Sequence, residues 1–100
     1  MAQTPEAKVK AKVKRQLDAL GAYYFYPVTG GYGRSGVPDI VGCLKGMFFA
    51  IECKAGKNTP TPLQQLNIDQ IAEAEGLVWV VNEGNVTNVT ETLLEALNKS

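Results

Sequence analysis

Apolar and polar residues alternate along this chain with a period that changes from segment to segment, and the changes predict its elements. From Pro5 to Leu20 the apolar residues Val9, Val13, Leu17 and Leu20 recur every three or four positions, which predicts a helix with one buried stripe. Thr4 suits its N-cap, Pro5 its first turn and Gly21 its end. Ala22 to Val28 then reads as a strand with Pro27 near its end, and the four glycines between Thr29 and Gly36 predict a loop. Asp39–Leu44 and Met47–Cys53 are strand-like runs joined by Lys45-Gly46, a tight hairpin turn.

After a loop from Ala55 to Thr61, a second helix is expected over Pro62–Glu75, with Leu63, Leu66, Ile68, Ile71 and Ala72 apolar and Gly76 closing it. Leu77–Val81 (LVWVV) is apolar throughout, the pattern of a strand covered on both faces, with Trp79 in the core. A last helix follows over about Val89–Asn98. The expected fold class is α/β, with a mixed sheet in α-β-β-β-α-β order and a short C-terminal helix. One hundred residues predict a single domain over 1–100.

The hairpin brings chemistry into this plan. A two-residue turn opposes Leu44 to Met47 and, at the far end, Asp39 to Glu52, with the opposed side chains on one face and Lys54 two residues beyond. A three-residue loop with a bulge would instead oppose Asp39 to Ile51 and separate the acids. In the first register two carboxylates repel each other unless a cation lies between them, and magnesium accepts such oxygen ligands together with waters and phosphates. Lys54 would then hold an attacking water or offset charge on a phosphate. The plainer alternative is a lysine paired with strand-end acids at the sheet rim. Glu6 lies three residues before Val9, on the apolar stripe, so it is a candidate third acid at the site. A first-turn acid favoured by the helix dipole explains Glu6 equally simply.

Composition narrows the options. The chain contains no histidine, which excludes Ser-His-Asp and Cys-His catalysis and histidine zinc sites. Cys43 and Cys53 lack metal-ligand spacing and fall on opposite faces of the hairpin, so no disulfide is expected. Net charge is zero, yet Lys8, Lys10, Lys12, Lys14 and Arg15 crowd the first helix, either as a phosphate-binding patch or as a solvated face. The N-terminus lacks a signal-peptide pattern and no run approaches the ~18 apolar residues of a membrane span, so a soluble intracellular protein is expected. Tyr23, Tyr24, Phe25 and Tyr26 read as core and interface residues more than as a base-stacking platform.

Pro38-Asp39 followed by Glu52-Cys53-Lys54 has the form of the PD-(D/E)xK nuclease signature. Together with Gly36-Val37-Pro38-Asp39-Ile40, Phe49 to Lys54 and Thr61-Pro62-Leu63-Gln64, the chain resembles the VRR-NUC (virus-type replication-repair nuclease) family from about Glu6 to Val81. The resemblance implies a restriction-endonuclease-like fold and phosphodiester hydrolysis in DNA with Mg²⁺ or Mn²⁺. It implies that Asp39, Glu52, the Cys53 backbone carbonyl and Glu6 serve the metal, and that Lys54 serves the nucleophilic water. Gln64, or Gln65 one position later, would position Lys54 or a DNA phosphate, while Arg34 and Lys57 flank the site as candidate backbone contacts. Small stand-alone members, from viruses and bacteria, resemble Holliday-junction resolvases and act as homodimers. That implies a phage or bacterial cytoplasmic enzyme without membrane or protein cofactor. Its interface would lie on the aromatic strand or on Leu93, Leu94 and Leu97. Flap-type substrates, or a non-catalytic nucleic-acid-binding module, are the alternatives.

Overall fold

A computed structural model describes residues 3–28 and 33–99. The elements are α1 (Pro5–Leu20), β1 (Tyr23–Phe25), β2 (Ile40–Leu44), β3 (Met47–Cys53), α2 (Pro62–Glu73), β4 (Leu77–Val81), a short 3₁₀ turn (Val86–Asn88) and α3 (Val89–Lys99). The expected order is therefore the observed one. The sheet runs β1-β2-β3-β4, with the first three strands antiparallel and β4 parallel to β3.

α1 forms where its sequence signals place it. The Thr4 hydroxyl accepts a hydrogen bond from Ala7 N–H, and Gly21 closes the helix at φ 73°, in the left-handed region that glycine enters without strain. Its stripe of Val9, Val13 and Leu17 is buried. On the sheet this stripe meets Ile40, Leu44, Phe49, Ile51, Cys53 and Val81, and α3 adds Val89 and Leu93. Trp79 packs against this core from a partly buried position.

The hairpin turn has two residues. Lys45 and Gly46 both take positive φ, at 50° and 86°, as a type I′ turn requires. Leu44 pairs with Met47 and Ile40 with Ile51, which is the register that opposes Asp39 to Glu52. At Gly42 a Cβ would come within 2.2 Å of the Tyr23 carbonyl oxygen, so only glycine lets β1 lie against β2 there.

The second face of the sheet is filled unevenly. α2 packs against β4, and Ala50 and Glu52 are buried there, whereas Tyr23, Phe25, Cys43 and Phe48 on the same face are exposed. Several expectations change on this face. β4 is an edge strand, and Val81 is its only buried residue; LVWVV is half covered because no further strand among the described residues pairs beyond it. β1 ends at Phe25, before Pro27, whose missing N–H cannot extend a ladder. Tyr23, Phe25 and Tyr26 are exposed, not core, and Tyr24 is half-buried with its hydroxyl donating to Asp18. In α2, Leu63, Leu66 and Ala72 are exposed and the buried residue is Asn67. The expected glycine loop falls partly on 29–32, outside the described residues. No helix among the described residues is long and apolar enough to cross a membrane. Both cysteines are free, Cys43 exposed and Cys53 buried.

Candidate active site

Beyond Ile40–Ile51 the β2–β3 ladder is continued by side chains. Glu52 Oε1 accepts the Asp39 backbone N–H at 3.2 Å, and Asp39 Oδ2 accepts the Cys53 N–H at 2.9 Å. Each acid thus spends one oxygen on the opposite strand, which fixes both carboxylates at the sheet rim. Asp39 Oδ1 and Glu52 Oε2 are left over. Glu52 Oε2 is buried without a hydrogen-bond partner among the described residues, and Lys54 Nζ stands 3.5 Å away as an ion pair. Asp39 Oδ1 faces Lys10 Nζ at 3.8 Å.

Burial dominates the electrostatics. The Glu52 side chain is 1% exposed, and burial, followed by the negative charge of Asp39, pushes its carboxyl up to about 7 against the pull of Lys54. Burial and the same Asp39 charge push the Cys53 thiol up to about 12, which keeps it protonated at neutral pH in the metal-free protein.

Two carboxylates with one uncommitted oxygen each, one of those oxygens buried and lacking a hydrogen bond, make a donor set that fits a hard divalent cation. Magnesium commonly takes one or two carboxylates and completes its shell with water and phosphate oxygens. Among the described residues no group of three His, Cys, Asp or Glu side chains gathers as a ligand set. Glu6 lies half-buried one turn before Lys10, and its charge reaches the Cys53 thiol without completing such a set.

The remaining candidates lie elsewhere. Gln64 closes a capping box: its side-chain oxygen accepts Thr61 N–H at 2.9 Å while the Thr61 hydroxyl accepts Gln64 N–H at 3.2 Å. Gln65 donates to Asp69. Arg34 reaches over α2 and donates to Gln70, at a groove of about 390 Å³ lined also by Phe48, Asn67 and Ile71, which does not include Asp39 or Glu52. Lys57 is exposed in the loop after Lys54, a loop held where the Glu83 carboxylate accepts the Gly56 N–H. Leu93 is buried in the core, so it is no interface residue, whereas Leu94 is exposed.

Two residues join the site's framework that the sequence patterns did not single out for it. Lys10 follows Glu6 by four positions, so both share a helix face. Asn67 sits four residues from both Leu63 and Ile71 on α2, and it donates to Ser35 O and Leu63 O, tying the segment before Asp39 to α2. A polar residue in an apolar helical stripe is the signal that marks it.

No protein-family model and no curated protein matches the sequence. Solved structures do. One described as a VRR_NUC domain superposes with a TM-score of 0.74 at 26% identity, covering 93% of this chain and 97% of that one. Another, a VRR_NUC domain protein, gives 0.71 at 16% identity over 99% and 93% of the two chains, a likeness of fold alone. The chain thus shares its α/β fold with these VRR_NUC domain structures.

Proposed function

We propose that this chain is a metal-dependent, structure-selective DNA endonuclease that hydrolyses phosphodiester bonds, cutting four-way junctions as a homodimer. The likeness to VRR-NUC domains supports a nuclease. The observation that carries metal dependence is Glu52 Oε2, a buried carboxylate oxygen without a hydrogen-bond partner beside a second carboxylate. The Lys54 ammonium at 3.5 Å offsets this burial only in part, since the Glu52 carboxyl still lies well above its ordinary value, and a cation between the two acids would offset the rest.

Asp39 and Glu52 would hold Mg²⁺ or Mn²⁺, with the Cys53 carbonyl as a third donor and Glu6 acting through water. The cation, when bound, acidifies a water and neutralises phosphate charge. Lys54, ion-paired with Glu52 at the sheet rim, orients the attacking water and offsets charge developing on the phosphate. Gln64 keeps a free side-chain amide for a DNA phosphate while its oxygen caps α2. Arg34 and Lys57 contact the backbone further out. A four-way junction has two-fold symmetry, and an isologous dimer presents two sites in that relation. The exposed Tyr23, Phe25 and Leu94 offer apolar surface for it.

The test incubates wild type and Lys54→Ala with a labelled four-way junction, with and without Mn²⁺, beside flap and nicked duplexes at the same salt concentration. Paired nicks near the branch, from wild type with metal only, are expected. Cleavage of flaps alone would reassign the substrate, and no cleavage of any branched DNA would leave a nucleic-acid-binding module. Light scattering reading a monomer that retains full junction cutting would remove the dimer.

A further inference from the structure

The nuclease reading gives Lys54 a task and leaves Lys10 without one. Yet the two lysines stand in matching positions. Each carboxylate at the rim has one uncommitted oxygen, and each of those oxygens faces one ammonium: Lys54 at Glu52 Oε2, Lys10 at Asp39 Oδ1. Their settings differ. The Lys54 side chain is 12% exposed and sits just past the end of the strand that carries its partner acid. The Lys10 side chain is 35% exposed, comes from α1, and meets the more open acid, Asp39, at 25%. At 3.8 Å the contact is a charge contact and not a hydrogen bond. The other α1 lysines do not share this arrangement: Lys14 is tied to Asp18 at 2.8 Å, and Lys8 and Lys12 are exposed.

We propose that Lys10 is a second active-site lysine, whose ammonium holds the free oxygen of Asp39 in the metal-free protein, competes there with a divalent cation, and turns to a DNA phosphate once the cation has taken that oxygen. The inference rests on the nuclease reading above. A cation and an ammonium cannot both sit in contact with one carboxylate oxygen without strong mutual repulsion. The lysine is the partner that gives way, because it is a point charge on a flexible four-carbon stem at the open side of the pair. Displaced from Asp39, it stays within reach of the phosphate that the cation also attracts. Cation binding and DNA binding are then linked through one side chain.

The test measures Mn²⁺ binding by titration calorimetry on wild type, Lys10→Gln, Lys12→Gln and Asp39→Asn. Lys12→Gln removes the same charge from an exposed position elsewhere on the same helix. Lys10→Gln is expected to bind Mn²⁺ about threefold to tenfold more tightly than wild type, with Lys12→Gln within about twofold. In Ca²⁺, the same Lys10→Gln should bind a four-way junction more weakly, with a salt dependence smaller by about one phosphate contact, and Lys10→Arg should restore both readouts. Equal tightening by Lys10→Gln and Lys12→Gln, or weaker Mn²⁺ binding by Lys10→Gln, would overturn the inference and leave the nuclease reading intact. Unchanged Mn²⁺ binding in Asp39→Asn would remove the cation from this site, and the nuclease reading and this inference would fall together.

Discussion

The two faces of the sheet are built to different standards. On the α1/α3 face, Leu17, Phe49, Ile51 and Val81 are fully buried beneath two helices. On the α2 face the cover reaches only one side: Glu52 is as buried as any core residue, while Tyr23, in the same sheet and on the same face, is 72% exposed. The first face stores the stability of the fold. The second holds a charged pair in a low-dielectric corner and leaves the rest of its surface open, and Lys10 of α1 reaches round from the packed face to Asp39 at the rim.

Breaking the packed face should have the largest effect. Phe49→Ala is expected to cost about 3–5 kcal/mol in urea denaturation, since the ring lies wholly in the core and its removal leaves a cavity. On the other face, Lys54→Ala should lower the cleavage rate about 10²- to 10³-fold, the scale for losing one preorganised electrostatic partner, while the thermal midpoint moves less than in Phe49→Ala.

The Glu52 carboxyl sharpens the contrast through pH. Its folded-state value, about 7, lies above its ordinary value of 4.5, so the folded protein holds this proton more tightly than the unfolded chain does. That stabilisation is fully present below pH 4.5 and is lost as pH rises through 7. Metal-free protein should therefore be less stable at pH 8 than at pH 5, by at most about 3 kcal/mol from this group. Glu52→Gln should flatten that part of the profile in thermal melts. Smaller still, Thr61→Ala removes the capping box of α2 and should cost about 1 kcal/mol. Phe48→Ser, on the open part of the face, should change stability by less than about 1 kcal/mol in the same melts.

What the sequence disclosed follows the same division. α1 was legible because its apolar period, N-cap and terminal glycine all agree. The hairpin was legible because a two-residue turn fixes which residues meet, and the meeting of Asp39 with Glu52 follows from it. β4 was misread, since an apolar run has the same composition at an edge as in the middle of a sheet, and only the presence of a further strand decides its cover. α2 was legible as a helix, but not how it is seated: it is held through Asn67 on a loop carbonyl and leaves Leu63 and Leu66 about half exposed. Lys10 was hidden among neighbouring lysines of the same helix, and its partner lies 29 positions further along the chain. Long-range pairing of charge leaves no period to read.

The Lys45-Gly46 turn lies six positions from each acid, roughly 20 Å away at strand spacing. Hairpin tips are ordinarily where a chain tolerates extra length. Here the tip sets parity: one added residue, unless absorbed by a bulge, would turn Asp39 toward the oily side of the sheet and leave Glu52 facing nothing. Cleavage lost through such an insertion would come from a place remote from the acids, and the altered protein would keep every residue of the candidate site in its sequence.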